Sequence, residues 1–187
     1  MTPTITHIND LVAACRKGDQ RAQMEIYNRF YKAMYNTALR IVKHSAEAED
    51  IMQEAFLNAF TKIESFNGES TFGAWLKRIV VNKCISVYNK KIKYEEVSYN
   101  DELKNEIDDS EGYIINEEKT SEKVEVLLTK LNSLKENYRM CLTLHLIEGY
   151  DYDEICEIME ISYANCRTTI FRAKESLRKK LLNHEER

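Results

Sequence analysis

Asp50, Gln53, Glu54 and Asn58 put carboxylates and amides on one side of a segment whose other side is apolar at helical spacing: Ile51, Ala55, Ala59 and Ile63, widened by Met52, Phe56 and Phe60. One short polar stretch later, Lys77, Arg78, Asn82, Lys83, Lys90 and Lys91 give a second helical pattern a basic side, with Trp75, Leu76, Ile79, Val80, Ile85 and Val87 turned inward. Between them Asn67-Gly68 supplies turn chemistry, and Ser70 or Thr71 serves as the next N-cap. Such faces do their work by charge and hydrogen bonding. Residues for covalent or metal chemistry do not assemble: His7, His44, His145 and His184 lie in four separate segments without a Cys or carboxylate at ligand spacing. No phosphate-binding glycine loop and no nucleophile elbow is present. The pattern argues against an enzyme, and no cofactor, metal or small-molecule substrate is expected. Cys15, Cys84, Cys141, Cys156 and Cys166 form an odd set without CxxC spacing, each inside a helical pattern, and read as buried, reduced thiols.

The elements that must position these faces are helices. In 187 residues, 31% are charged, with one Pro and five Gly, which suits an all-α fold of two small domains. No apolar run approaches the ~18 residues a membrane span needs, and Met1-Thr2-Pro3-Thr4 lacks the regions of a signal peptide, so a cytoplasmic protein is expected. Asn9 or Asp10 is the expected cap of a first helix through Leu11, Val12 and Cys15 that ends near Gly18. Asp19 caps a long helix over 20–43, with Ala22, Ile26, Phe30, Met34, Ala38 and Ile41 on one face. Tyr27, Tyr31 and Tyr35 run beside that face; core packing is favoured over stacking on bases. Ser45 is the expected cap of the next helix, and the N-terminal domain comprises four helices over 9–91.

The formal net charge of −4 is unevenly spread. Residues 94–123 hold eleven acids against three lysines, a net −8, which leaves +4 for the rest of the chain. With no clear period, 92–119 reads as an acidic, flexible linker. Its carboxylates either mimic nucleic acid or form a solvated spacer. Beyond it, Thr120 or Ser121 caps a helix through Val124, Leu127, Leu128 and Leu131, and a second runs from Tyr138 to Ile147, ended by Gly149. A short helix over 151–159, a turn at Glu160-Ile161 and a helix capped by Ser162 and reaching about Leu182 make a helix-turn-helix within a domain over 120–182. The last helix is basic: Arg167, Arg172, Lys174, Arg178, Lys179 and Lys180 stand against Glu175.

Two stretches carry a family resemblance. Asp50-Ile51-Met52-Gln53-Glu54-Ala55-Phe56, then Ser65-Phe66-Asn67-Gly68-Glu69-Ser70-Thr71-Phe72, then Trp75-Leu76-Lys77-Arg78-Ile79 with Asn82, resembles the second region of extracytoplasmic-function sigma factors, promoter-specificity subunits of bacterial RNA polymerase. Residues 131–181 resemble the fourth region, above all Ile155-Cys156-Glu157-Ile158-Met159-Glu160-Ile161-Ser162 and Ile170-Phe171-Arg172-Ala173-Lys174-Glu175-Ser176-Leu177. The match departs at Asn132-Ser133-Leu134, where a Leu-Pro is usual, at Tyr163-Ala164-Asn165-Cys166, and at Thr169, where a basic residue is common. The resemblance implies that Asp50, Gln53, Glu54 and Asn58 meet the clamp coiled coil of the polymerase largest subunit, with the flap as a further contact. It implies that Phe66, Asn67, Glu69, Ser70, Thr71, Trp75, Lys77, Arg78, Asn82 and Lys83 handle the minus-ten element, Trp75 as a stacking wedge or, preferably, a core anchor. Ser162, Asn165, Arg167, Thr168, Phe171 and Arg172 would face the minus-thirty-five element. Arg178 to Lys180 either touch phosphates or are solvated. Two promoter elements about 17 base pairs apart lie on the order of 60 Å apart along B-form DNA, within the roughly 100 Å contour of a ~30-residue linker. The implied partners are core RNA polymerase, promoter DNA and an anti-sigma factor.

Two other readings compete. A self-sufficient dimeric helix-turn-helix regulator predicts a palindromic site bound without polymerase. A module that sequesters polymerase without reading DNA leaves the basic last helix unexplained.

Overall fold

The computed structural model describes residues 7–98 and 122–185, with side chains over 7–91 and 122–182. The chain divides into two compact units, Met1–Lys104 and Asn105–Arg187, and every regular element among the described residues is helical.

In the first unit, α1 (Ile8–Arg16), α2 (Gln20–Val42), α3 (Ser45–Thr61) and α4 (Phe72–Ser98) pack so that α2 touches each of the others and α3 also lies on α4. The core is the apolar stripe expected of α2 (Ala22, Ile26, Met34, Ala38, Ile41) closed by Ile51, Met52, Ala55, Phe56 and Ala59 of α3 and by Leu76, Val80, Val81, Cys84 and Ile85 of α4. Burying each large aliphatic side chain contributes about 1.5–3 kcal/mol. Tyr27 stacks on Tyr31 at 5.7 Å and meets Phe56 at 4.9 Å, so this tyrosine packs rather than awaits a base. Gly73 lies where α4 crosses α2: a Cβ there would sit 2.9 Å from the Phe30 ring.

Asp19 caps α2 as expected, accepting from the backbone N–H of Arg21 and Ala22. Two other caps differ from expectation. His7, not Asn9 or Asp10, caps α1, its Nδ1 accepting from Asn9 N at 3.3 Å, and His44, not Ser45, caps α3 by accepting from Glu47 N at 3.3 Å. A neutral imidazole nitrogen meets an exposed N–H as a hydroxyl or carboxylate would, and both caps fall one or more residues before the usual cap types. The linker expected from residue 92 also starts later, because α4 continues through Ser98. The remainder of that stretch, with Thr120 and Ser121 as caps, lies outside the described residues.

The second unit holds α5 (Glu122–Asn132), α6 (Glu136–Leu142) running into a π-helical turn (Thr143–Ile147), α7 (Tyr152–Met159) and α8 (Tyr163–Glu185). α5, α6 and α7 all pack on α8. Leu131, Leu134, Met140, Leu142, Leu144, Ile155, Ile158, Ile170, Ala173 and Leu177 are buried there. A capping box starts α7: Asp151 accepts from Glu154 N, and the Glu154 carboxylate accepts from Asp151 N. Glu160 makes the turn in the left-handed region (φ 55°), and the Ser162 hydroxyl accepts from Asn165 N to open α8.

Candidate polymerase and promoter interfaces

Asp50, Gln53, Glu54 and Asn58 lie at positions i, i+3, i+4 and i+8 of α3, and all four are exposed. Gln53 Nε2 donates to Glu49 Oε1 at 3.3 Å, so the stripe is tied along its own helix. Leu57, 68% exposed, completes it at i+7. Sequence reading passed over Leu57 because it sits beside buried Phe56; its signal was an apolar residue on the polar side of the period.

The 66–71 loop is built inward-out. Phe66 is buried, meeting Phe72 at 5.4 Å edge-on and Trp75 at 5.4 Å, while its carbonyl accepts from the Arg16 guanidinium of α1. Phe66 therefore stands beneath the loop, a correction to its expected place among the DNA-facing side chains. Asn67 Oδ1 accepts from Glu69 N at 3.2 Å and Gly68 turns the chain at φ 80°, leaving 67–71 exposed above this ring cluster. Of the two expected caps, Thr71 opens α4, its hydroxyl accepting from Ala74 N at 3.2 Å; Ser70 Oγ points to the Thr71 carbonyl. Trp75 is half-buried against Phe66 and Phe72.

From the loop one stripe runs along α4: Thr71, Trp75, Arg78 and Asn82, at i, i+4, i+7 and i+11, with Arg78 and Asn82 exposed. Lys77 and Lys83 flank it, both half-buried. Lys83 forms an ion pair with Glu54 of α3, and two turns along Lys91 Nζ lies 2.8 Å from Glu47 Oε2. The structure thus joins what the sequence separated: one carboxylate of the α3 stripe holds one lysine of α4.

On the second unit, Ser162, Asn165, Arg167, Thr168, Phe171 and Arg172 are all exposed on the first half of α8, where the positive end of the helix dipole lies. Thr169 Oγ1 donates to Asn165 Oδ1 at 3.1 Å, and Thr168 Oγ1 bonds back to Ala164 O at 2.8 Å. Phe171 is 67% exposed between two arginines, an apolar surface suited to a thymine methyl. Tyr163, 51% exposed and in ring contact with Tyr152 at 6.2 Å, was missed and extends this face at the start of the helix. Further along, Arg178 lies 3.9 Å from Glu175.

Comparison with known proteins accounts for both units. Residues 26–92 match the Sigma-70 region 2 family and residues 125–177 the Sigma-70 region 4 family. The chain is 32% identical over 182 residues to the ECF RNA polymerase sigma-E factor of Escherichia coli strain K12, covering 91% of this chain and 92% of that protein. It belongs to the ECF sigma factor family. The sigma-E factor of Haemophilus influenzae is 29% identical over 185 residues, covering 91% of this chain and 93% of the relative. Two solved structures share the fold at 21% identity: the sigma factor RpoE in complex with the anti-sigma factor NepR from Bartonella quintana (TM-score 0.59, covering 84% of this chain and 95% of that one), and CnrH in complex with the cytosolic domain of CnrY (TM-score 0.53, 93% and 96%). A sigma factor is a transcription factor. Among the described residues no helix is long and apolar enough to cross a membrane.

Proposed function

We infer that this sigma factor binds core RNA polymerase, directs it to particular promoters and helps open the minus-ten region. The observation that carries this reading is the presence of both sigma regions in one chain, since a free-standing helix-turn-helix regulator has no use for the first. Residues 9–91 are assigned to core polymerase and the minus-ten element, 120–182 to the minus-thirty-five element, and the acidic stretch between them to a tether. Asp50, Gln53, Glu54 and Asn58, with Leu57, form the contact to the clamp coiled coil; the second unit reaches the flap. The protein acts in the cytoplasm, is not an enzyme, and takes an anti-sigma factor as a further partner, as the Bartonella quintana RpoE does with NepR.

Mechanistically, neither DNA face is strong alone, because a few base contacts at ~1–3 kcal/mol each compete with a vast excess of non-specific sites. Polymerase holds both units, which makes the second DNA contact intramolecular. Arg78, Lys77 and Lys83 then hold phosphates, and Asn67, Glu69, Ser70 and Thr71 offer hydrogen bonds to a base swung out above the Phe66–Phe72–Trp75 cluster. A stacked base costs a few kcal/mol to extrude unless such a pocket receives it. Asn82 lies on the same stripe.

Asn82→Ala is expected to lower promoter opening about ten-fold, read by chemical reactivity of unpaired thymines, with polymerase affinity unchanged. Loss of both would make Asn82 structural and remove it from the site. Arg172→Ala should weaken only promoters that carry the upstream element.

A further inference from the structure

Three of the five cysteines converge on one helix of the second unit, and neither the polymerase nor the promoter contacts use them. Tyr152, Cys156 and Met159 lie one turn apart along α7. The buried Cys166 thiol, from the first turn of α8, donates to the Tyr152 carbonyl at 3.8 Å, one turn before Cys156 on α7. On the other flank, the Cys141 thiol of α6 meets Met159 Sδ at 3.5 Å. Cys156 is half-buried, whereas Cys15, Cys84, Cys141 and Cys166 are buried. The described residues form no group of three His, Cys, Asp or Glu that could hold a metal, so the cluster is better suited to sulfur chemistry than to ligation.

We propose that Cys156 and Cys166 form a reversible disulfide under peroxide stress, cross-linking α7 to α8 within the helix-turn-helix. The Cys156 thiolate attacks peroxide: an S–O bond forms, the O–O bond breaks, and the departing hydroxide takes a proton to leave as water. Cys166 then attacks the sulfenic sulfur; an S–S bond forms, the S–O bond breaks and a second water leaves. Two thiols are oxidised and one peroxide is reduced to two waters. Exposure makes Cys156 the first to react. Burial pushes the Cys166 thiol up to about 12 and that of Cys141 to about 11, which shields both from direct attack and makes the second step slow. A small thiol reductant reverses the bond by exchange.

The cross-link reaches the DNA face because Cys166 sits between Asn165 and Arg167. Its sulfur must leave the Tyr152 carbonyl and close on Cys156 to the ~2.05 Å of a disulfide, which draws the first turn of α8 toward α7. This consequence rests on the minus-thirty-five reading; the disulfide itself does not.

The test treats the full chain with hydrogen peroxide, alkylates the remaining thiols, and maps linked peptides by mass spectrometry before and after dithiothreitol. A Cys156–Cys166 peptide that disappears on reduction, persists in Cys141→Ala and is absent from Cys156→Ser is the expected result. A Cys156–Cys141 link, a chain-to-chain link, or irreversible oxidation of Cys156 overturns the proposal. Binding of polymerase holoenzyme to promoter DNA separates the two claims. Reduced holoenzyme should depend on the upstream element, and peroxide should lower that dependence roughly five-fold or more in the wild type but not in Cys156→Ser. If the reduced form shows no such dependence, the minus-thirty-five reading fails; if the linked form binds as well as the reduced one, the link to DNA fails.

Discussion

Buried thiols tie the stability of the second unit to alkaline pH. Cys141 and Cys166 are raised by burial from an ordinary 9.0 to about 11 and about 12. Because folding favours the protonated thiol, its stabilising contribution is complete below pH 9.0 and is lost as pH rises through 11 to 12. Urea titrations should give a stability level from neutral pH to about 9 that falls beyond it, with a shallower fall in Cys166→Ala. Equal slopes would place the loss on lysines instead. At this scale the sequence was informative where a residue's side of a helix decides its exposure, as for Asp50, Asn82 or Arg167. It was misleading for Phe66, because an aromatic in a loop has no period to follow. What turns Phe66 inward is Phe72 and Trp75 beneath it and Arg16, fifty residues away, on its carbonyl.

Elements add couplings that no single stripe reveals. Glu54 and Lys83 were read as belonging to different partners, yet packing of α3 on α4 pairs them. Register between two helices is a tertiary property, invisible to a period count. Both side chains are partly exposed, so the pair is worth at most about 1 kcal/mol. Glu54→Gln should therefore raise non-specific DNA binding by the free chain up to about five-fold at low salt, with a salt slope steeper by about one phosphate, while weakening polymerase binding. Fluorescence anisotropy across a salt series reads the first effect; an unchanged slope would show that Lys83 does not reach DNA. The turn between α7 and α8 offers another test. Glu160 holds φ at 55°, a conformation that costs a side-chain-bearing residue about 1–2 kcal/mol, part of which glycine returns as unfolded-chain entropy. Glu160→Gly should raise the thermal midpoint by a few degrees with DNA binding intact. A lower midpoint would mean that the Glu160 side chain makes a stabilising contact. Helix starts were the least legible feature: His7 and His44 cap α1 and α3 although neighbouring Asn9 and Ser45 are the commoner cap types.

For the whole molecule, the distribution of charge matters more than its total. A chain of net −4 concentrates −8 in residues 94–123, which leaves +5 in residues 1–93 and −1 in residues 124–187, where the positive charge gathers on α8. Both units and their family were legible from the motifs, since each region's signature is contiguous in sequence. The helical start of the tether was not, because Lys90 to Ser98 mixes charge and polarity without a clear apolar stripe, and α4 nonetheless continues there. Reconstituting the chain with sigma-free core RNA polymerase on genomic DNA and mapping RNA 5′ ends tests the central claim directly. The account predicts a stable complex that starts transcription from a small set of sites sharing minus-ten and minus-thirty-five elements. Starts no more selective than those of core enzyme alone, or specific binding to a palindrome without polymerase, would contradict it.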